Sequence, residues 1–93
     1  MVPNLKFTVE ECAAFCHLSK AHFARIFKQT TGTSPLRFIL QIRVERAKEL
    51  LDFTDRSVAE IAEACGFGDQ NYFARTFKKL TGLSPTRYRN VGK

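Results

Sequence analysis

Ninety-three residues, 44% of them hydrophobic and nine of them Phe, suffice for one small domain or for two very small units that share a core. No apolar run approaches the ~18 residues that span a bilayer, no signal-peptide pattern opens the sequence, and three Cys without framework spacing suit a reducing compartment. A net charge of +6 suits a polyanionic partner.

The first helix is announced by Thr8-Val-Glu-Glu11, a capping-box pattern in which a hydroxyl caps the helix and Glu reaches back. Behind it Val9, Cys12, Ala13 and Cys16 fall at i, i+3, i+4, i+7, one buried helical stripe. A tight turn at His17-Leu18 follows, and His tolerates a left-handed backbone. Ser19 then caps a second helix, expected from about Lys20 to Thr31, with Phe23, Ile26 and Phe27 facing the core and Gly32 stopping it. Ser34-Pro35 opens a long helix to about Phe53, whose Ile39, Leu40, Ile42, Val44, Ala47, Leu50 and Leu51 pack to both sides. A second capping box, Ser57-Val-Ala-Glu60, starts a helix with Val58, Ile61, Ala62 and Cys65 inward. Gly66-Phe67-Gly68 turns the chain, and Asp69 caps a helix from about Gln70 to Thr81 with Phe73, Phe77 and Leu80 inward. After Gly82, Ser84-Pro85 begins a short helix to about Asn90.

The chain contains one unit twice. His22 to Phe38 aligns with Tyr72 to Tyr88 at a constant offset of 50, with ten of seventeen positions identical. Each copy reads as helix, tight turn, capped helix, which is the helix-turn-helix pattern. The charge follows the copies. Between Cys12 and Val44 there is no acidic residue but there are Lys20, Arg25, Lys28, Arg37 and Arg43. From Gln70 onward there is again none, against Arg75, Lys78, Lys79, Arg87, Arg89 and Lys93. The organisation expected is a single domain over 1–93: a first helix-turn-helix at 8–33, a connecting helix at 34–54, and a second helix-turn-helix with a short C-terminal helix at 55–90. At 1.5 Å per residue the connector is about 28 Å long, near the ~34 Å between helices docked one DNA turn apart.

The sequence resembles the DNA-binding domain of the AraC/XylS family of bacterial transcription regulators from Phe7 to about Arg89. The likeness rests on Arg43 to Leu51, Ser57 to Ala62, Cys65 to Lys78, Thr81 to Pro85 and Arg87 to Arg89, in family order and spacing. His17 stands where the family has Gly, and Ala21 is small where a recognition helix often carries more. The resemblance implies an all-α fold of about seven helices and a cytoplasmic transcription factor, more often an activator than a repressor. It also implies a further regulatory or dimerisation domain in a longer protein, with double-stranded DNA and RNA polymerase as partners and no membrane.

Base edges are reached from the N-terminal half of a recognition helix. Arg can grip guanine O6 and N7 in a fork, and Gln or Asn can do the same to adenine. Base reading is therefore assigned to Arg25, Gln70, Asn71 and Arg75, with Ala21 and Ala24 as thymine-methyl contacts. Lys20, Lys28, Arg37, Lys78, Arg87 and Arg89 flank these positions and are assigned to phosphates. His22 and Tyr72, at matching positions, are expected partly buried between helices, with base reading as the alternative. Cys12, Cys16 and His17 lie close enough to raise a metal site, yet no fourth ligand has sensible spacing, and free Cys packed as small hydrophobes is the better reading. No nucleophile–base–orienter set and no phosphate loop points to catalysis, so neither enzyme activity nor a cofactor is expected. No sheet aromatics or dedicated loop point to RNA. Glu49, Asp52, Asp55, Glu60 and Glu63 form an acidic zone read as a solvated face that avoids DNA, or as a face for RNA polymerase.

Overall fold

The computed structural model describes residues 7–91, and every regular element among them is a helix. In chain order these are α1 (Val9–Phe15), α2 (Lys20–Thr31), α3 (Pro35–Phe53), α4 (Val58–Ala64), α5 (Gln70–Thr81) and α6 (Pro85–Val91). The fold is all-α, with six helices among the described residues where the resemblance implies about seven. Residues 1–6 and 92–93, Lys93 included, lie outside the described part.

Capping explains the boundaries. Ser19, Ser34 and Ser57 each sit in extended backbone and accept the N–H three residues on, from His22, Arg37 and Glu60. Only Ser57 completes a capping box, its own N–H donating to Glu60 Oε1 at 2.9 Å. The box expected at Thr8 is half formed. Thr8 Oγ1 accepts from the Glu11 N–H at 3.1 Å, and its hydroxyl donates to the Glu11 carboxylate at 3.3 Å. Gly32 and Gly82 end α2 and α5 at φ 82° and 88°, and their N–H groups bond the Lys28 and Lys78 carbonyls, both at 2.8 Å. His17 takes φ 58°, a left-handed backbone at a non-glycine residue, in the turn where the second copy uses Gly66 at φ 85°.

The repeat persists in the ring packing. Phe23–Phe27 and Phe73–Phe77 centroids are both 5.7 Å apart, and Phe27–Phe38 and Phe77–Tyr88 are both 5.4 Å apart. Burial does not repeat. The buried cluster joins Val44, Ala47, Leu50 and Leu51 of α3 to Ile61, Ala62, Cys65, Phe67, Phe73 and Phe77, all in the second unit. Helix α2 buries no residue: Phe23 and Phe27 are half-buried and Ile26 is 41% exposed, so the expectation that all three face a core is corrected. The α1 stripe is corrected likewise. Val9 and Ala13 are buried, Cys12 is intermediate, and Cys16 is exposed, whereas Cys65 at the same place in the second copy is fully buried. Helix α3 is buried at Ile39, Val44, Ala47, Leu50 and Leu51 as expected, while Leu40 and Ile42 are half-buried. With extents of 44 × 24 × 24 Å the molecule is elongated.

Candidate nucleic-acid interface

Two twelve-residue helices, α2 and α5, follow the tight turns of their units, and each turns a packed face inward and a polar face out. On α2 the outer face carries exposed Lys20, Ala21, Arg25 and Lys28, with Ala24 half-buried among them. On α5 it carries exposed Gln70, Asn71, Arg75 and Lys78, with Ala74 half-buried. The structure therefore brings Ala21, Ala24 and Arg25 to one helix face and Gln70, Asn71 and Arg75 to another. Arg25, Lys28, Arg75 and Lys78 hold no ion pair among the described residues, so their donors face solvent.

Lys20 is different. Its Nζ lies 2.7 Å from Glu10 Oε1 across the α1–α2 turn, with both side chains 62% exposed. The lysine hydrogen bond is the main cause that lowers the Glu10 pKa. So exposed a pair contributes little stability, and a phosphate can exchange with the carboxylate at small cost. The second unit has Ala59 and Gln70 at these places and no such pair. Asp69 caps α5 through Asn71, its Oδ1 accepting the Asn71 N–H at 2.9 Å, which leaves the Asn71 side-chain amide free to turn outward.

Of the remaining assigned cations, Arg37 and Arg87 are exposed at the first turns of α3 and α6, each with its backbone N–H capped by the preceding Ser. Arg89 is engaged otherwise. Its Nε donates to the Leu51 carbonyl at 3.3 Å and its Nη2 to the Thr54 carbonyl at 3.1 Å, so it satisfies the C-terminus of α3 and ties α6 to it. The sequence reading assigns it to a phosphate, and in the fold two of its guanidinium nitrogens are held by these carbonyls. His22 is exposed, against the expectation of partial burial, while Tyr72 is half-buried with its ring 5.7 Å from Phe67. Among the described residues no group of three or more His, Cys, Asp and Glu is placed to hold a metal ion.

Sequence reasoning missed Arg43, which reads there as one more surface cation. It is buried, donates through Nη2 to the Phe7 carbonyl at 3.0 Å, and stands 5.7 Å from the Phe67 ring centre. It thus pins the entry to the first unit against the turn of the second. The signal was present: Ile39, Arg43 and Ala47 lie four apart on the buried stripe of α3.

Two helix-turn-helix units with free basic outer faces on one connector define the class of protein as a DNA-binding domain, and the comparisons agree. A family model described as a helix-turn-helix domain matches residues 12–90. The chain is 45% identical over 69 residues to the MmsAB operon regulatory protein of Pseudomonas aeruginosa, covering 74% of this chain and 22% of that one. It is 44% identical over 63 residues to the transcriptional activator RhaS of Klebsiella pneumoniae, covering 68% of this chain and 23% of that one. The solved DNA-binding domain of AdpA, a global transcriptional factor crystallised with a target DNA, superimposes with a TM-score of 0.85 at 38% identity, over 91% of this chain and 77% of that one. The chain belongs to the AraC/XylS family of transcription regulators as one of its sequence-specific DNA-binding domains. It spans less than a quarter of the length of these curated relatives.

Proposed function

We propose that one copy of this domain grips one face of duplex DNA, with α2 and α5 in two major grooves about one helical turn apart. The observation that carries this is the matched pair of outward Arg25 and Arg75 on helices held by α3, which at 19 residues is roughly 28 Å long. Residues 8–33 and 55–90 are the two reading units and 34–54 the spacer between them. Arg25, Gln70, Asn71 and Arg75 read base edges, and Ala21 and Ala24 lie against thymine methyls. Lys20, Lys28, Arg37, Lys78 and Arg87 hold phosphates, and Lys20 gives up Glu10 to do so. Mobility shifts across a salt series test the reading: a steep fall in affinity with salt is expected from five or more phosphate contacts. A flat salt response would remove DNA as the partner.

The domain works within a longer regulator that carries a ligand-binding or dimerisation part, since the curated relatives are more than four times the matched length. Activation of transcription in a bacterial cytoplasm, on the nucleoid, is the role proposed, because relatives such as RhaS are named activators. The acidic zone is the proposed face toward RNA polymerase. Asp52, Asp55 and Glu60 are exposed there, and no helix of the described residues is long and apolar enough to cross a membrane.

A further inference from the structure

Arg43 joins parts of the molecule that the repeat does not require to meet. It lies on the buried stripe of α3, its Nη2 donates to the Phe7 carbonyl at 3.0 Å, and its guanidinium carbon stands 5.7 Å from the centre of the Phe67 ring. Phe67 carries the contact on into the second recognition helix. Its ring centre is 4.9 Å from that of Phe73 and 5.7 Å from that of Tyr72, both in α5. Gly68 and the N-cap Asp69 follow Phe67 directly, and Gln70 and Asn71 come next. The ring is thus held between a buried cation on one side and the first turn of α5 on the other. The first unit cannot repeat this. Leu18 stands in its turn where Phe67 stands in the second: the Leu18 N–H bonds the Ala13 carbonyl at 2.9 Å as the Phe67 N–H bonds that of Ala62 at 3.0 Å, and leucine offers no ring to a cation. The contact therefore belongs to the tertiary packing, from the entry of the first unit to the turn of the second, and not to the repeated motif.

We propose that Arg43 is a positioning residue for base reading by the second unit, through which the seating of the first turn of α5 depends on the chain that enters the first unit at Phe7. This rests on the reading that Gln70, Asn71 and Arg75 contact base edges. A planar guanidinium with one nitrogen fixed by the Phe7 carbonyl has a set height and tilt against the Phe67 ring. Taking that acceptor away makes a buried cation find a substitute for it, and a guanidinium that re-aims no longer holds the ring where it was. The ring's other aromatic neighbours are Phe73 and Tyr72, so its shift passes to the helix end that presents Gln70 and Asn71. Binding constellations tolerate about 0.5 Å of misplacement, so a small re-aiming is enough to cost base choice. Helix α2 takes no part in the contacts that run from Phe7 through Arg43 and Phe67 to Phe73. The entering chain thereby tunes the half-site under α5 and not the one under α2.

Two variants separate the acceptor from the cation: a chain that begins at Thr8, which lacks the Phe7 carbonyl but keeps Arg43 and the cap of α1, and the 93-residue chain with Arg43→Met. Amide hydrogen exchange without DNA is the first measurement. The N–H groups of Phe67, Asn71 and Phe73 bond the Ala62 carbonyl, the Asp69 carboxylate and the Asp69 carbonyl. In both variants these three should exchange at least about ten-fold faster, while Gly32 at the end of α2 and Gly82 at the end of α5 keep the parent rates. Binding selection from random duplexes is the second measurement. Positions that lose base choice in Arg75→Ala mark the half-site under α5, and those that lose it in Arg25→Ala mark the half-site under α2. Both variants should relax choice at least about five-fold at the first set and leave the second set at parent values. Parent exchange rates at Phe67, Asn71 and Phe73 in the chain that begins at Thr8 would overturn the proposal, even where Arg43→Met is too unstable to measure. So would equal acceleration at Gly32 and Gly82, or equal relaxation of both half-sites, since either means general loosening. If Arg75→Ala relaxes no position, it is base reading by α5 that fails. If it does, and the chain that begins at Thr8 leaves those positions at parent values, the positioning role alone is overturned.

Discussion

Side chains on the same outer face have different jobs, and substitution separates them. Arg75 is exposed near the middle of α5 with no ion pair among the described residues, so its fork is free for a guanine edge. Arg75→Ala should cost about 1–3 kcal/mol on a preferred site and relax base choice at one or two positions, as read by binding selection from random duplexes. Lys78→Ala, one turn further on, should weaken every sequence alike and flatten the salt slope by about one unit. A uniform loss for Arg75→Ala on preferred and random DNA would contradict base reading. Thiols are separable by the same logic. Burial pushes the Cys65 thiol up to about 11, so almost no thiolate exists at neutral pH, and its alkylation should begin only in strong alkali or on unfolding.

At the scale of an element, the capping box of α4 is the clearest case of local chemistry with a measurable pH signature. The Ser57 N–H holds the Glu60 carboxylate below its ordinary value, with the Ser57 hydroxyl second. A depressed carboxylate stabilises the fold fully above its unfolded value near 4.5, and that contribution is lost as pH falls through the lower folded value. Glu60→Ala should lower stability at neutral pH, and the gap to the parent should narrow in acid. Denaturant melts at pH 7 and pH 3 would show it; a constant gap would mean that the box adds nothing beyond the cap. The two recognition helices offer a second contrast. Phe77 is fully buried, so Phe77→Ala should cost roughly 3–5 kcal/mol, whereas Phe27→Ala should cost clearly less because Phe27 is already half-solvated.

For the whole molecule, the question is what one chain does to one duplex. A symmetric dimer of identical readers needs a palindrome, but here two unlike recognition helices stand in tandem on one connector. One copy should therefore protect a non-palindromic site of roughly 16–20 bp in a footprint. Inserting about 5 bp between the half-sites should turn one groove to the far side and reduce affinity to that of one unit with nonspecific contacts. Unchanged affinity on the spacer variants, or a complex that forms only with two chains on a palindrome, would overturn the tandem model.

Much of this was legible in the residues because the physics is local. Ser before a helix, Gly after it, and an offset of 50 between copies set the α2, α3 and α5 boundaries at the residues found. The outer faces of α2 and α5 followed from the same periodicity, and the family likeness rested on residue spacing alone. What needed tertiary structure were the positions where identical local patterns meet different neighbours. Cys16 and Cys65 occupy the same place in the repeat, yet one is exposed and one buried, because the buried cluster that α3 forms from Val44 to Leu51 includes Cys65 and not Cys16. Arg89 and Arg43 are simply two cations of the basic segments in the sequence. In the fold one bonds the Leu51 and Thr54 carbonyls and the other the Phe7 carbonyl, partners 35 or more residues away in the chain. Periodicity tells which way a side chain points from its own helix, and only the packing of the helices decides what it meets there.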